Sequence, residues 1–343
     1  MRVFLTGSAG YIGCVLGPLL LRDGHDVVSL DTGFYREGWL FSDPSVTTEP
    51  ALIVRDLRTI TREDLVGFDA VVHLAELSND PLGEHNPEVT HDINHTGSVR
   101  LAKLAKAAGV RRFIYTSSCS VYGIADGVVS ETSITSPQTA YARCKVLVER
   151  DVSLLADDQF TPTFLRNATA YGASPRMRFD IVLNNLAGHA WTSGKIAMTS
   201  DGTPWRPLVH VRDICQAIQR VLVAPTEAIH NETFNVGDTR ANYQVREVAE
   251  AVAKEFHGCA LSFGAADRDN RSYRVNFEKI HTHLPSFKCR WGLQEGAAEL
   301  RRVFQRIAMT RETFEFRAFT RVKCLSHLTN TGQLDGRFFW TET

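Results

Sequence analysis

Short apolar runs bounded by Gly, Asp or Ser recur through the first half of the chain: "RVFLTG", "DVVSLD", "ALIVRD", "AVVHLAE" and "RRFIYTSS". Between them lie stretches with helical spacing, such as "YIGCVLGPLLLRDG" and "GSVRLAKLAKAAG". In the second of these, Val99, Leu101, Leu104, Ala105 and Ala108 form one stripe and Gly109 closes it. Strands that alternate with helices predict βαβ units, hence an α/β fold with a doubly wound parallel sheet covered on both faces. Pro18 falls inside the first helical stretch and is expected to kink it. Two further strands are expected at "TPTFLRNATAYG" and "ETFNVGD"; beyond residue 239 short helices mix with loops. This predicts a larger α/β domain over 1–172 plus 213–238, and a smaller mixed α/β domain over 173–212 plus 239–343.

Composition narrows the partners. With 343 residues, 43% apolar and 22% charged, the chain reads as an ordinary globular protein with room for one large core or two smaller ones. A formal net charge of −1 gives no pull towards nucleic acid or an anionic membrane. No apolar run reaches the roughly 18 residues of a membrane span. The opening "MRVFLTGSAG" is too short in apolar residues for a signal-peptide core and reads as a first strand. Seven scattered cysteines without a Cys-x-x-Cys fit a reduced, cytoplasmic setting.

"TGSAGYIG" places Gly7, Gly10 and Gly13 between the first strand and the first helix. Glycine there lets the backbone approach a diphosphate, and the helix N-terminus supplies unpaired N–H groups and a positive dipole. Asp31 follows 18 residues after Gly13, at the end of "VVSLD". A carboxylate at that place accepts both ribose hydroxyls of a dinucleotide. It would repel a 2′-phosphate by up to about 4 kcal/mol per unit charge at close range, so NAD is expected rather than NADP.

"YARCK" sets Tyr141 and Lys145 one helical turn apart on one face. A tyrosine acting as a base near neutrality costs about 4 kcal/mol at its ordinary pKa. An adjacent ammonium and an oxidised nicotinamide can supply much of that. Ser118, 23 residues before Tyr141, ends the strand "RRFIYTSS" and can polarise a substrate hydroxyl or carbonyl.

Taken together, "TGSAGYIG", Asp31, "VVHLAE", Asn94, "TSSCSVYG", "YARCK", "LRNATAYG" and "PLVHVRD" resemble the extended short-chain dehydrogenase/reductases, the NAD-dependent epimerase/dehydratases of nucleotide sugars. The resemblance runs to about residue 280 and implies a Rossmann domain, a nucleotide-diphosphate-sugar substrate and a homodimer built on a helix bundle that includes the Tyr141 helix. It implies that Gly7, Gly10, Tyr11, Ile12 and Gly13 hold the diphosphate of NAD and Asp31 the adenosine ribose. Asp56 and Leu57 would flank adenine, and Leu74, Ala75, Glu76, Asn94 and Ser117 the rest of the cofactor path. Ser118, Tyr141 and Lys145 would be catalytic, with Tyr141 and Lys145 also at the cofactor, the lysine on the nicotinamide ribose, and Ser118 also at the substrate. Asn185, Arg206 and Arg271 match positions that grip the nucleotide diphosphate, where the arginine fork suits phosphate. Ser78, Asn167 and Thr169 match positions at the sugar.

The departures from the family pattern carry information. The 4,6-dehydratases have Asp-Glu where this chain has Cys119-Ser120, and the decarboxylases keep a Glu at the second of these positions. Removing water needs an acid for the leaving hydroxyl and a base for the C5 proton, which Cys-Ser does not readily supply. Epimerisation by oxidation and re-reduction needs only Ser118, Tyr141, Lys145 and the nicotinamide. So does reduction of a keto-sugar. Cys119 is read as core-facing, with proton-transfer epimerisation as its alternative role. Glu76 stands where Ala or Gly is usual, Ser78 replaces a Lys, and Asn167 and Thr169 differ from the galactose-specific subgroup, so the sugar is expected to be another one.

The remaining constellations are read as structural. His91 with His95, and His281 with His283, lack an evident third ligand, so no metal is expected. "RRVFQR" reads as a solvated helix face, and the aromatic "FEFRAFTRVKCLSHL" as core packing, with a cover for the second domain or a partner surface as its alternative. The expectation is an NAD-dependent nucleotide-sugar epimerase. A keto-sugar reductase is the enzymatic alternative, and a non-catalytic NAD-binding regulatory protein the alternative of another class.

Overall fold

The computed structural model describes residues 1–78, 80–265 and 272–341. Seven strands form the main sheet: β1 (Arg2–Thr6), β2 (Asp26–Asp31), β3 (Ala51–Val54), β4 (Ala70–His73), β5 (Arg112–Ser118), β6 (Thr161–Asn167) and β7 (Glu232–Val236). Their order is β3-β2-β1-β4-β5-β6-β7, and every neighbouring pair is parallel. The chain winds outward from β1 through β2 and β3, then crosses back to β4. That reversal opens a crevice at the carboxyl ends of β1 and β4, where such sheets bind ligands. Thr6 pairs with His73 across it, so Gly7 and Leu74 leave the sheet side by side.

The central strands read as continuous apolar runs because both faces are covered. Val3, Leu5, Val72, Ile114 and Leu165 pack against Leu16 and Leu20 of helix α1 (Gly13–Arg22), and against Ile214, Ile218 and Val221 of the helix Val211–Val223. Phe4, Val71, Phe113 and Phe164 face the other way, onto Leu101 and Ala105 of the helix Ser98–Ala107 and Val148 and Val152 of the helix Ala140–Ser153. α1 runs through Pro18 as one element.

A second buried cluster gathers the helices Val182–Ser193, Val245–Glu255 and Leu293–Arg306 around Leu186, Val248, Leu300 and Phe304. Two stretches read from sequence as second-domain share clusters with the first instead. Tyr273, Phe277, Ile280 and Phe287 join the core under α1. Cys324, Leu325, Leu328 and Phe338 join Phe34, Leu77, Leu82, Val89 and Ile93. The aromatic C-terminal stretch therefore packs, with Phe314 and Phe319 buried.

Candidate active site

Ser118 is the last residue of β5, and its extended backbone lets the side chain cap the next turn, Cys119–Tyr122. Its Oγ accepts the Ser120 N–H at 3.1 Å, and Ser118 lines the same cavity as Tyr141. Tyr141 sits in the first turn of the helix Ala140–Ser153, which starts where Thr139 Oγ1 accepts the Ala142 N–H. Lys145 follows one turn later, its Nζ 5.4 Å from the Tyr141 ring centroid. Three residues separated in sequence thus meet at the end of one strand.

Lys145 does not stand alone. Its side chain is 4% exposed, and its Nζ lies 2.6 Å from Oε2 of Glu76, itself 3% exposed. The ammonium also donates to the Thr116 carbonyl oxygen, and Tyr115 donates its hydroxyl to Glu76 Oε1 at 2.6 Å. Burial raises the Glu76 carboxyl above its usual range, against the pull of Lys145 and its hydrogen bonds. Burial opposes the Lys145 ammonium too, yet the charges of Glu76 and of an ionised Tyr141 outweigh it and hold its pKa up. Tyr115 thus donates to one oxygen of the carboxylate while Lys145 pairs with the other.

This partnership bears on Tyr141. Burial raises the Tyr141 pKa above its ordinary value; Lys145 pulls it down, Glu76 and Asp80 push it up, and the nearby Ser118 hydroxyl lowers it. Glu76 therefore cancels part of the help Lys145 gives. Removing its charge should let Tyr141 ionise more easily. In Glu76→Gln, the limb on which turnover rises with pH should move to lower pH by on the order of one unit. A pH profile of kcat checks this; a limb that stays in place or moves to higher pH contradicts it.

These groups end a cavity of about 280 Å³ that begins at Asp31, Asp56 and Leu57 and passes Gly7–Gly13 and Leu74–Glu76. The glycine turn is tight: Gly7 has φ +75°, and a Cβ on Gly13 would lie 2.2 Å from the Gly7 carbonyl oxygen. Asp31 accepts the N–H groups of Gly33 (2.8 Å) and Ala9 (3.1 Å), which aims its carboxylate along the cavity wall. Tyr11 donates its hydroxyl to the Gly172 carbonyl at 2.7 Å and ties the turn to the start of the second cluster. Asp56 caps the short turn Leu57–Thr59 and pairs with Arg58 at 2.8 Å. A cradle of glycine backbone at a helix N-terminus, with an acidic residue at the end of β2, fits NAD.

At the far end, Ser78, Asn167 and Thr169 line the cavity, as does Ser120. Ser120 Oγ and Asn167 Oδ1 are buried without hydrogen-bond partners among the described residues, so polar groups there face an unfilled need. Asp80 and Ser120 also line a neighbouring cleft with Arg206 and Tyr273, which extends the site outward. Ser117 lines the cavity and donates its hydroxyl to Glu149, which Arg166 grips at 2.7 Å in a buried pair beneath β5.

Other expected residues lie apart from the cavity wall. Asn94 is fully buried and spends its amide on both backbone groups of Leu77, from a widened helical turn at His91–Gly97. Asn185 donates to the Phe179 carbonyl. Arg271 lies outside the described residues. Cys119 is 1% exposed and aims Sγ at the Arg166 carbonyl oxygen, and burial pushes its thiol well up. His95 bonds to His91 and Asp151, and His281 and His283 face backbone carbonyls. Among the described residues no three His, Cys, Asp or Glu side chains gather as metal ligands, and no helix is long and apolar enough to cross a membrane.

Several lining residues were not singled out by sequence: Tyr35, Arg178 and Arg321. Arg178 is 7% exposed, pairs with Asp180 at 2.8 Å and donates to Ser78 Oγ at 3.0 Å. No motif surrounds these positions, because they come from a loop and a C-terminal helix that only folding brings to the crevice.

The parallel sheet, the glycine turn at its switch point and the Ser118–Tyr141–Lys145 cluster define an extended short-chain dehydrogenase/reductase-type enzyme. Residues 3–237 match the model of the NAD dependent epimerase/dehydratase family. The UDP-glucose 4-epimerase of Corynebacterium glutamicum is 31% identical over 285 residues, covering 78% of this chain and 84% of that one. The UDP-glucose 4-epimerase of Mycolicibacterium smegmatis is 29% identical over 263 residues, covering 74% and 82%. Among solved structures, MoeE5 in complex with UDP-glucuronic acid and NAD superposes with a TM-score of 0.76 at 28% identity, covering 89% of this chain and 99% of that one. The chain belongs to the NAD-dependent epimerase/dehydratase family, and its cofactor is NAD.

Proposed function

We propose that the protein is an NAD-dependent nucleotide-sugar epimerase that works through a transient keto-sugar. The observation that carries this reading is the chemistry at positions 119 and 120. Cys119 faces the core and Ser120 faces the cavity, so these two positions supply no acid–base pair for dehydration. Glu76, the carboxylate nearest Lys145, is committed to that ammonium and to Tyr115. NAD, held by the glycine turn and Asp31, would supply the acceptor and donor of the hydride exchanged with the sugar carbon. Tyr141 removes the hydroxyl proton, Ser118 holds the hydroxyl oxygen, and Lys145 favours the ionised tyrosine. Ser120, Asn167 and Thr169 meet the sugar, and Arg206 in the adjoining cleft holds the diphosphate while the ring turns. The names of the epimerase relatives support this reading. The intact triad argues against a pure binding protein, which has no need of that geometry.

The test is conversion of a panel of UDP- and dTDP-sugars with no cofactor added and no net absorbance change at the NADH band. Substrate deuterated at the inverted carbon should keep its label. Stoichiometric NADH consumption with a keto-sugar, and no epimer from any hydroxy-sugar, would establish the reductase instead. Label washing out into water would establish proton-transfer epimerisation.

A further inference from the structure

Everything after residue 237 lies beyond the family match, yet part of it reaches the cofactor cavity. The helix Arg321–Asn330 is locked against the nucleotide-binding domain. Leu325 and Leu328 pack on Phe34, Leu77 and Leu82, and Cys324 Sγ donates to the Phe34 carbonyl oxygen at 3.4 Å. Further along, Trp340 donates its indole N–H to the Thr32 carbonyl oxygen at 2.7 Å, and the Arg58 guanidinium lies 3.8 Å from the Phe339 ring centroid. The segment is thus strapped across the wall that follows β2.

Arg321, the first residue of that helix, is 2% exposed and lines the cavity with Gly10, Tyr11, Asp31, Tyr35 and Arg178. Its backbone N–H donates to Asp180 Oδ2 at 3.2 Å, and its guanidinium lies 3.8 Å from the Tyr35 ring centroid. Among the described residues, no carboxylate forms an ion pair with that guanidinium and none of its side-chain N–H groups finds an acceptor. The carboxylates whose charge it feels are engaged: Asp180 with Arg178, and Asp31 with two backbone N–H groups. Two more guanidiniums, Arg176 and Arg178, stand close by. Burial holds the Arg321 charge below its usual stability, and Arg178 adds repulsion.

A buried cation with unused donors is costly unless a partner arrives. Its charge is felt both at Asp31, at the end of β2, and at Cys14, at the start of α1. Those two positions bracket the glycine turn, where the diphosphate of a dinucleotide lies. The guanidinium fork matches phosphate oxygens.

We propose that Arg321 is a diphosphate-binding residue, which closes on the NAD diphosphate opposite the glycine turn and makes the C-terminal segment a strap that retains the cofactor. The proposal rests on the NAD dependence of the family and not on the epimerase reading. Retention is what an enzyme needs if the hydride it takes is to return to the same molecule.

The test uses full-length protein freed of nucleotide, as wild type and as Arg321→Met. NADH is titrated by fluorescence, and ADP-ribose, adenosine and UDP by calorimetry. The variant should lose roughly 10- to 100-fold in affinity for NADH and ADP-ribose, and change by no more than about twofold for adenosine and UDP. Its nucleotide-free melting temperature should be equal or higher, because an uncompensated buried charge has gone. Arg321→Lys keeps the charge without the fork and should fall between, which preserves the test if the methionine variant folds poorly. Unchanged NADH affinity in both variants overturns the proposal. Loss for UDP with ADP-ribose unchanged places the guanidinium on the substrate diphosphate and overturns the cofactor assignment. An equal loss for adenosine, with a lower melting temperature, reduces Arg321 to a structural role and also overturns it.

Discussion

Tyr141→Phe is expected to cut turnover by about a hundredfold or more while leaving NAD affinity nearly intact. On the proposed reading the phenol exchanges a proton with the substrate hydroxyl: Tyr141 lines the cavity with Ser118, and the Lys145 ammonium lies 5.4 Å from its ring centroid. Its ring contributes packing that phenylalanine retains. NADH fluorescence titration and turnover with an identified sugar nucleotide measure the two effects separately. Near-normal turnover would remove Tyr141 from the mechanism. A parallel loss of NAD binding would mean that the hydroxyl serves the cofactor rather than the proton.

Lys145→Met should cost activity on the same scale, and here it should cost stability as well. Glu76 would keep its Tyr115 hydrogen bond but lose its only ion-pair partner among the described residues. Removing one member of a buried pair typically costs about 3–5 kcal/mol. The pH dependence has a definite sign. Burial already raises the Glu76 pKa in the folded protein, and without Lys145 it rises further. A carboxyl with a raised folded pKa binds its proton more tightly when folded. The deficit of the variant is therefore small below the ordinary glutamate pKa, about 4.3, and grows as pH rises through the folded value. Thermal melts of wild type and variant at pH 4.5 and pH 8 measure this. Lys145→Met combined with Glu76→Gln should recover most of the lost stability and none of the activity. A single variant as stable as wild type at pH 8 would show that Glu76 does not depend on Lys145.

Much of the architecture was legible because it repeats over short windows. Apolar runs at 2–6, 26–31 and 70–73 and the helical stripe at 99–108 are local patterns, and a parallel sheet buried on both faces leaves few alternatives for them. The glycine turn was legible for a steric reason, since a side chain on Gly7 or Gly13 would meet backbone within 3 Å. The spacing of Tyr141 and Lys145 was legible because one helical turn puts both on one face.

What remained hidden involves residues far apart in sequence. Glu76 was noticed as an odd residue, but its grip on Lys145, 69 positions away, depends on β4 and β5 lying side by side so that Tyr115 and Thr116 bring the groups together. The C-terminal stretch announced only that it would pack; its aromatic and aliphatic spacing fits any apolar surface. Its place against Phe34 and Leu77, and hence Arg321 in the cofactor cavity, follows from which apolar wall the folded core left uncovered. Periodicity reports that a side chain will be buried, because burial follows from the geometry of its own helix or strand. It does not report against what, because that partner is chosen by the assembled surface, where shape and charge from distant segments are summed.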